Sequence, residues 1–170
     1  MAIRVQLRAI VPRGLILDPG KFDKNLRQAV NESLGLIRND FNATTRTWEE
    51  RVAFKMQPAS DRGNSIRGFV GTDNMIYVYV DQGTRAHPIV AQRAPYLVFS
   101  SGRYQPKTRP GVIGSRSRGS RSGSFRFAKR VWHPGTEARN FAKTIEKRRQ
   151  RNVETKVRAA FLKSLRSARS

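Results

Sequence analysis

The sequence has no cysteine, only two histidines and no apolar run long enough to span a membrane. The absence of cysteine excludes a disulfide-stapled fold and a thiolate metal site, and it favours a reducing compartment. Polar residues interrupt the apolar ones near the N-terminus, a pattern that is not typical of a signal peptide. We therefore expect a soluble protein that is made in the cytosol and does not contact a membrane.

Acidic residues are scarce: 12 Asp and Glu face 34 Lys and Arg, which gives a net charge of +22 over 170 residues. Such an imbalance indicates an anionic partner, either nucleic acid or the acidic surface of a neighbouring protein. The few acids are scattered along the chain, which disfavours a carboxylate–metal nuclease. The length fits one domain over residues 1–170 with a core of its own.

The motifs of common enzymes are also missing. There is no Gly-x-Ser-x-Gly elbow, no GxGxxG and no P-loop. His87 and His133 each precede a proline and have no set of metal ligands at useful spacing. We interpret both as structural residues whose ring nitrogens hydrogen-bond to backbone at a loop corner. We expect no catalytic residue, metal or cofactor; a small hydrolase or nuclease using either histidine is a formal alternative only.

Two long amphipathic helices are predicted from apolar residues at spacings of three and four. The first is expected over about residues 21–48 and the second from Thr136 or Glu137 to about Leu165. Arg149 interrupts the apolar stripe of the second helix, which is therefore expected to reach past the core at that point. The stripe of the first helix consists of Phe22, Leu26, Val30, Leu34, Ile37, Phe41 and Trp48.

Alternating apolar residues predict strands at residues 3–7, 52–56, 66–70, 75–80, 96–99 and near 125–132. The segment 75–80 is apolar on both faces, as a central strand would be, and residues 71–74 are interpreted as a hairpin loop before it. A loop is predicted at residues 58–64. Helices separated from a run of strands imply an α+β fold, with one antiparallel sheet of about four to six strands packed by a long N-terminal helix and a long C-terminal helix.

Residues 101–130 contain no acidic side chain and are rich in Arg, Ser and Gly. This composition favours a mobile loop or extended β-arm between two paired strands, and residues 166–170 form a polar tail. Such cations can follow a phosphate backbone or dock on an acidic neighbour protein, and both alternatives stay open. The candidate contact residues of this basic arm are Arg103, Lys107, Arg109, Arg116, Arg118, Arg121 and Arg126.

Two polar corners carry the most specific pattern in the chain. Residues 79–89 read YVDQGTRAHPI and residues 131–136 read VWHPGT. Their order, spacing and flanking helices resemble the tail-completion, or neck, proteins of long-tailed phages. In that family an apolar strand precedes an acidic residue, Gly-Thr and His-x-Ile, and a later His-Pro-Gly leads into a C-terminal helix. The residues that match, or lie beside, this pattern are Asp81, Gly83, Thr84, His87, Pro88, His133, Pro134 and Gly135.

The resemblance implies a non-enzymatic structural protein of the virion, located at the neck and assembled in the host cytoplasm. It implies a homo-oligomeric ring, six subunits being favoured over twelve, that joins the head connector to the tail. The neighbours would be a head-closure or adaptor ring, the tail terminator or tail tube, and phage DNA in the channel. The alternative is a sequence-independent nucleic-acid-binding protein of ribosomal or nucleoid type, whose different assembly state would distinguish it.

Overall fold

The computed structural model describes residues 2–10, 19–62, 65–101, 107–114 and 123–167. These residues form an α+β arrangement with small antiparallel sheets. In this described part, no helix is both long and apolar enough to cross a membrane. The elements in chain order are β1 (Ile3–Ile10), α1 (Pro19–Thr44), β2 (Lys55–Arg62), β3 (Ser65–Thr72), α2 (Met75–Gln82), β4 (His87–Val90), β5 (Leu97–Ser100), β6 (Phe125–Ala128), β7 (Arg130–His133) and α3 (Phe141–Ser167).

The core lies between α1, α3 and one face of a three-stranded antiparallel sheet of order β1-β3-β2. Along β1, buried and exposed side chains alternate over most of the strand, so that Ile3, Val5 and Ala9 face the helices. Each large apolar side chain buried in this way stabilises the fold by about 1.5–3 kcal/mol. Gly68 of β3 lets α1 come close, because a Cβ there would lie 2.5 Å from Leu34 Cδ1.

The prediction of a central strand at residues 75–80 is wrong, since this segment forms helix α2. The Asn74 side chain caps the helix by accepting a hydrogen bond from Tyr77 N at 3.0 Å. Burial then follows helical spacing, with Tyr77, Val78 and Asp81 inside. A short apolar run fits a buried helix as well as a buried strand, which is why the pattern misled. The hairpin predicted across residues 71–74 is therefore wrong too.

Strand β2 differs from its prediction as well. It covers Lys55–Arg62 rather than residues 52–56, and it includes most of the segment predicted as a loop. The register of β2 against β3 shifts between Gln57 and Ser60, so Pro58 lies at an irregularity where a missing N–H is tolerated. Among the described residues the single sheet of four to six strands is not formed, because β4 to β7 pair separately as two-stranded ladders.

The expectation that α3 reaches past the core at Arg149 is wrong. The Arg149 Nε and Nη2 groups donate to the two Asp40 carboxylate oxygens of α1 at 2.6 and 2.7 Å. The Asp40 side chain is only 8% exposed. A buried carboxylate requires such a partner, so the arginine in the apolar stripe joins the two helices instead of leaving them.

Candidate assembly site

The two corner motifs of the sequence meet in space. Thr84 N donates to Thr136 O at 2.9 Å, and Thr136 N donates back to Thr84 O at 3.1 Å. The hydroxyl oxygen of Thr84 also accepts from Thr136 N at 3.0 Å. This isolated antiparallel bridge joins chain segments 52 residues apart, and β4 and β7 extend from it as a paired ladder.

Two glycines make this contact possible. Gly83 has φ of 77° and Gly135 has φ of 96°, a region that side-chain-bearing residues rarely adopt. A Cβ on Gly83 would lie 2.7 Å from Thr136 O, and a Cβ on Gly135 would collide with Thr84 O. The close approach of the two backbones is thus a second reason, besides the positive φ, for glycine at both corners.

His87 and His133 face each other directly across the β4–β7 ladder, with ring centroids 5.2 Å apart. His87 Nδ1 lies 2.8 Å from Arg85 O, so this nitrogen carries the proton and donates it. His133 Nδ1 accepts from Gly135 N at 3.0 Å, which requires the opposite tautomer. Both rings therefore bond to backbone at a corner, which is the structural arrangement that we expected for them.

Asp81 ties the first corner to the start of α3. Its Oδ1 accepts from Ala142 N at 3.2 Å, while its backbone oxygen accepts from Asn140 N at 3.0 Å. Burial raises the pKa of the Asp81 carboxyl, and backbone hydrogen bonds from Ala142 and Phe141 act in the opposite direction. The carboxylate thus caps a helix that lies far along the chain, a role that sequence spacing gives no means of detecting.

A two-stranded ribbon, formed by residues 87–101 and 124–133, extends from the paired corners. The β4–β7 ladder is followed by the β5–β6 ladder, with Ala91 N to Lys129 O at 3.1 Å between them. Beyond β5, Ser101 N donates to Ser124 O at 2.9 Å. Pairing of the strands that flank the predicted arm is therefore confirmed.

The ribbon exposes large apolar side chains instead of burying them. Phe125 is 75% exposed, Phe127 68% and Trp132 64%, and valines beside them are also open. Val98 pairs with Phe127, which places an aliphatic and an aromatic side chain side by side on one face. Exposed apolar surface of this kind marks an interaction site, and the ribbon is our candidate assembly site.

The basic arm is only partly described, and one described part contradicts the expectation of a mobile loop. Residues 107–114 lie against the body of the protein, where Thr108 is buried and Gly111 N donates to Arg139 O at 3.0 Å. Lys107 Nζ lies 3.2 Å from Glu49 Oε1. The Arg, Ser and Gly content of residues 101–130 did not predict that this short segment packs against the body. Its Ile113 packs on the core.

The three predicted arm cations within the described residues lie on two separate segments, Lys107 and Arg109 in residues 107–114 and Arg126 on β6. Arg109 is exposed in residues 107–114, whereas Arg126 is exposed on β6. Within the described ranges, no three His, Cys, Asp or Glu side chains form a group able to hold a metal ion. Four of the arm candidates lie outside the described residues: Arg103, Arg116, Arg118 and Arg121.

The chain was also compared with known proteins. No family model, no curated protein and no solved structure matches it.

Proposed function

We propose that this protein is a structural, non-enzymatic component of the phage neck, where copies of it form a ring that joins the head connector to the tail. The observation that carries this proposal is the ribbon of residues 87–101 and 124–133, which holds Phe125, Phe127 and Trp132 in an exposed position. The family itself comes from the resemblance of the two corners.

An isolated two-stranded ribbon is marginally stable in water. Three exposed aromatic rings add an unfavourable apolar surface, which a neighbouring molecule would cover. A neighbouring copy of the chain would gain both apolar contacts and main-chain hydrogen bonds from the open strand edges. A ribbon that binds a different surface of the next subunit gives a head-to-tail interface, and such interfaces form a ring where the rotation between subunits closes.

The corners would give the ribbon a fixed direction. The Thr84–Thr136 bridge and the Asp81 cap hold its base against α2 and α3. A ribbon with a fixed base loses less conformational freedom on binding than a loop does, which favours a defined ring geometry. The proposed neighbours in the neck are a head-closure or adaptor ring, the tail terminator or tail tube, and the DNA in the channel. Six copies are proposed, by resemblance to the family.

The first experiment measures the mass of the full chain by native mass spectrometry and light scattering over a range of concentrations. We expect the wild type to assemble into a closed ring. The double variant Phe125→Ser, Phe127→Ser should remain monomeric and folded, because both rings are exposed in the subunit. The control variant Ile76→Ser, Leu162→Ser changes two exposed apolar residues outside the ribbon and should assemble normally.

A wild type that stays monomeric at all concentrations and with neck partners present would contradict the ring. Equal loss of assembly in the ribbon and control variants would contradict the assignment of the ribbon. For the virion itself, imaging of intact particles should place the chain at the head–tail junction. Particles that join heads to tails without this protein would overturn the neck proposal.

A second candidate is a free, sequence-independent nucleic-acid-binding protein, favoured by the net charge of +22. The mass measurement separates the two candidates, since a monomer that binds DNA fits only the second.

A further inference from the structure

The outer face of the three-stranded sheet, turned away from α1 and α3, has an unusual composition. The pairing register places three rows of three residues on this face. They read Arg4–Gly71–Lys55, Gln6–Phe69–Gln57 and Arg8–Arg67–Ser60 across the strands. Four of these nine positions are basic and none is acidic. We call them the outer sheet face.

Arg8 of β1 and Arg67 of β3 lie directly opposite each other on this face. Like charges at opposed positions of neighbouring strands destabilise a sheet. The Arg67 Nε donates to Ser65 Oγ at 3.2 Å, and no ion pair is recorded for Arg8 or Arg67 among the described residues. In the unbound protein, Arg8 and Arg67 therefore repel each other without a neutralising partner. An anion placed between the two side chains would relieve this repulsion.

Arg4 and Lys55 lie at the other end of the outer sheet face. The Arg4 guanidinium lies 5.1 Å above the centre of the Phe69 ring, which holds the charge flat over the sheet. One acid is close by: Asp73, in the loop after β3, accepts from Lys55 Nζ at 3.0 Å. Asp73 thus partly neutralises Lys55 and, more weakly, Arg4, whereas Arg8 and Arg67 have no acid paired with them among the described residues.

The basic surface of α3, in contrast, is mixed with acids. On α3, the exposed cations Lys143, Lys147 and Arg151 follow one another at helical spacing, but Glu146 and Glu154 lie among them. Elsewhere on this helix, Lys156 pairs with Glu32 and Arg149 pairs with Asp40. The positive charge of the outer sheet face is therefore less compensated than that of α3.

We infer that the outer sheet face binds the phosphate backbone of duplex DNA without reading its sequence. This inference deepens the proposed function, because it names the surface that meets the DNA, and it relocates that contact from the basic arm to the sheet. Arg4 and Arg8 are four residues apart on one strand, which corresponds to about 13 Å, and neighbouring strands add cations at about 4.8 Å spacing. Backbone phosphates need cations across such a surface and no pocket.

An acidic protein partner fits the same surface less well. Stable protein interfaces have an apolar core with large side chains that fill pockets. Among the nine positions of the outer sheet face, Phe69 is the one large apolar residue, and the Arg4 guanidinium covers its ring. The covered ring also disfavours base stacking, the usual way in which aromatic residues hold single strands.

The test compares two triple variants of the full chain, each lacking three positive charges. The sheet variant is Arg4→Gln, Arg8→Gln, Arg67→Gln, and the control is Lys143→Gln, Lys147→Gln, Arg151→Gln on α3. Binding to labelled duplexes of two unrelated sequences is followed by fluorescence anisotropy at several salt concentrations. We expect the sheet variant to bind at least about 10-fold more weakly, with a log–log salt slope smaller by about 3, and the control to change by less than about 3-fold.

The single change Arg8→Gln separates binding from folding. It removes the repulsion with Arg67, so the melting temperature should stay constant or rise while DNA affinity falls. Equal losses in the sheet and control variants would overturn the inference, as would unchanged binding by the sheet variant. So would polyglutamate that displaces the DNA as efficiently as unlabelled duplex, because this result assigns the face to an acidic protein. The oligomeric mass of the sheet variant should match that of the wild type, so failure of the ring and failure of this face give different results.

Discussion

At the residue scale, Gly83 and Gly135 combine a positive φ with a contact that leaves no room for a side chain. We predict that Gly83→Ala lowers the free energy of unfolding by roughly 2–3 kcal/mol, because the new Cβ would strain the backbone and press on Thr136 O. Urea denaturation of the isolated subunit measures this change.

Gly111 provides the matched control. Its φ is 68°, also positive, but a Cβ there would meet no described atom within 4 Å. Gly111→Ala should therefore cost only the backbone strain, about 1 kcal/mol. Equal losses for Gly83→Ala and Gly111→Ala would mean that the close approach of the corners adds nothing to the destabilisation caused by Gly83→Ala.

Asp81 allows a second prediction at this scale. Asn in its place keeps an oxygen that can cap α3 but has no charge to bury. We expect Asp81→Asn to match or exceed the stability of the wild type at pH 7, whereas Asp81→Ala should lose about 1–2 kcal/mol with the cap. Urea denaturation of the three proteins measures the differences.

The pH dependence of this comparison follows from the direction of the pKa shift. Burial raises the folded-state pKa of Asp81 above its unfolded value. The favourable contribution of the protonated carboxyl is complete below the unfolded pKa and is lost as pH rises through the folded pKa. Any advantage of Asp81→Asn should therefore grow from about pH 4 to neutral pH. An advantage that shrinks over this range would contradict burial as the dominant cause.

At the element scale, two of the ion pairs that join α1 to α3 differ in burial. Asp40 is 8% exposed and is held by Arg149, whereas Glu32 is 48% exposed and is held by Lys156. We predict that Arg149→Leu costs about 3 kcal/mol, because it leaves a buried carboxylate without its main partner. Lys156→Leu should cost much less than Arg149→Leu, since exposed pairs contribute little.

The double variant Asp40→Leu, Arg149→Leu tests the reason for this loss. With both charges removed, apolar packing should restore much of the stability. A double variant as unstable as Arg149→Leu would indicate that the loss comes from the packing of the two side chains and not from an unpaired carboxylate at Asp40. Thermal and urea unfolding report both comparisons.

The elements also show what sequence patterns can and cannot predict. Apolar and polar residues alternate along β1, and this alternation identifies the buried face because only one face of the strand is covered. The apolar run at residues 75–80 is ambiguous, and its decisive signal was Asn74, whose side chain caps a helix. Pro58 suggested a loop, but an irregular register keeps it within β2. Arg149 suggested that the second helix reaches past the core at that point, since its partner Asp40 lies 109 residues away in sequence.

For the candidate site, sequence reasoning found the two corners and missed their contact. The glycines, threonines and histidines were identifiable from local patterns, but the Thr84–Thr136 bridge depends on the path of the chain between them. The exposure of Phe125, Phe127 and Trp132 was not predictable either, because aromatic residues in strands usually indicate core. The phage neck family, the ring and its partners remain predictions.

At the scale of the whole molecule, the net charge of +22 opposes the compact state through self-repulsion. Added salt shortens the screening length from about 10 Å at 0.1 M to about 3 Å at 1 M. We therefore predict that the melting temperature of the free subunit rises by a few degrees as NaCl is added. Differential scanning calorimetry of a monomeric variant, Phe125→Ser, Phe127→Ser, measures the rise without interference from assembly.

The triple variant Lys143→Gln, Lys147→Gln, Arg151→Gln serves as the control for this effect. It carries three fewer positive charges, so its melting temperature should rise less with salt. A melting temperature that falls with salt would mean that the ion pairs between elements outweigh the repulsion.

The paired corners have a mechanical consequence. The base of the ribbon is attached to Thr84 on one strand and Thr136 on the other, and the start of α3 follows within a few residues. A tensile load applied to the ribbon tip by another molecule would reach the Thr84–Thr136 hydrogen bonds and then the Asp81 cap before it reached the apolar core. The hydrogen bonds at the corners would thus break first, and the packed core behind them would stay folded while the ribbon is pulled.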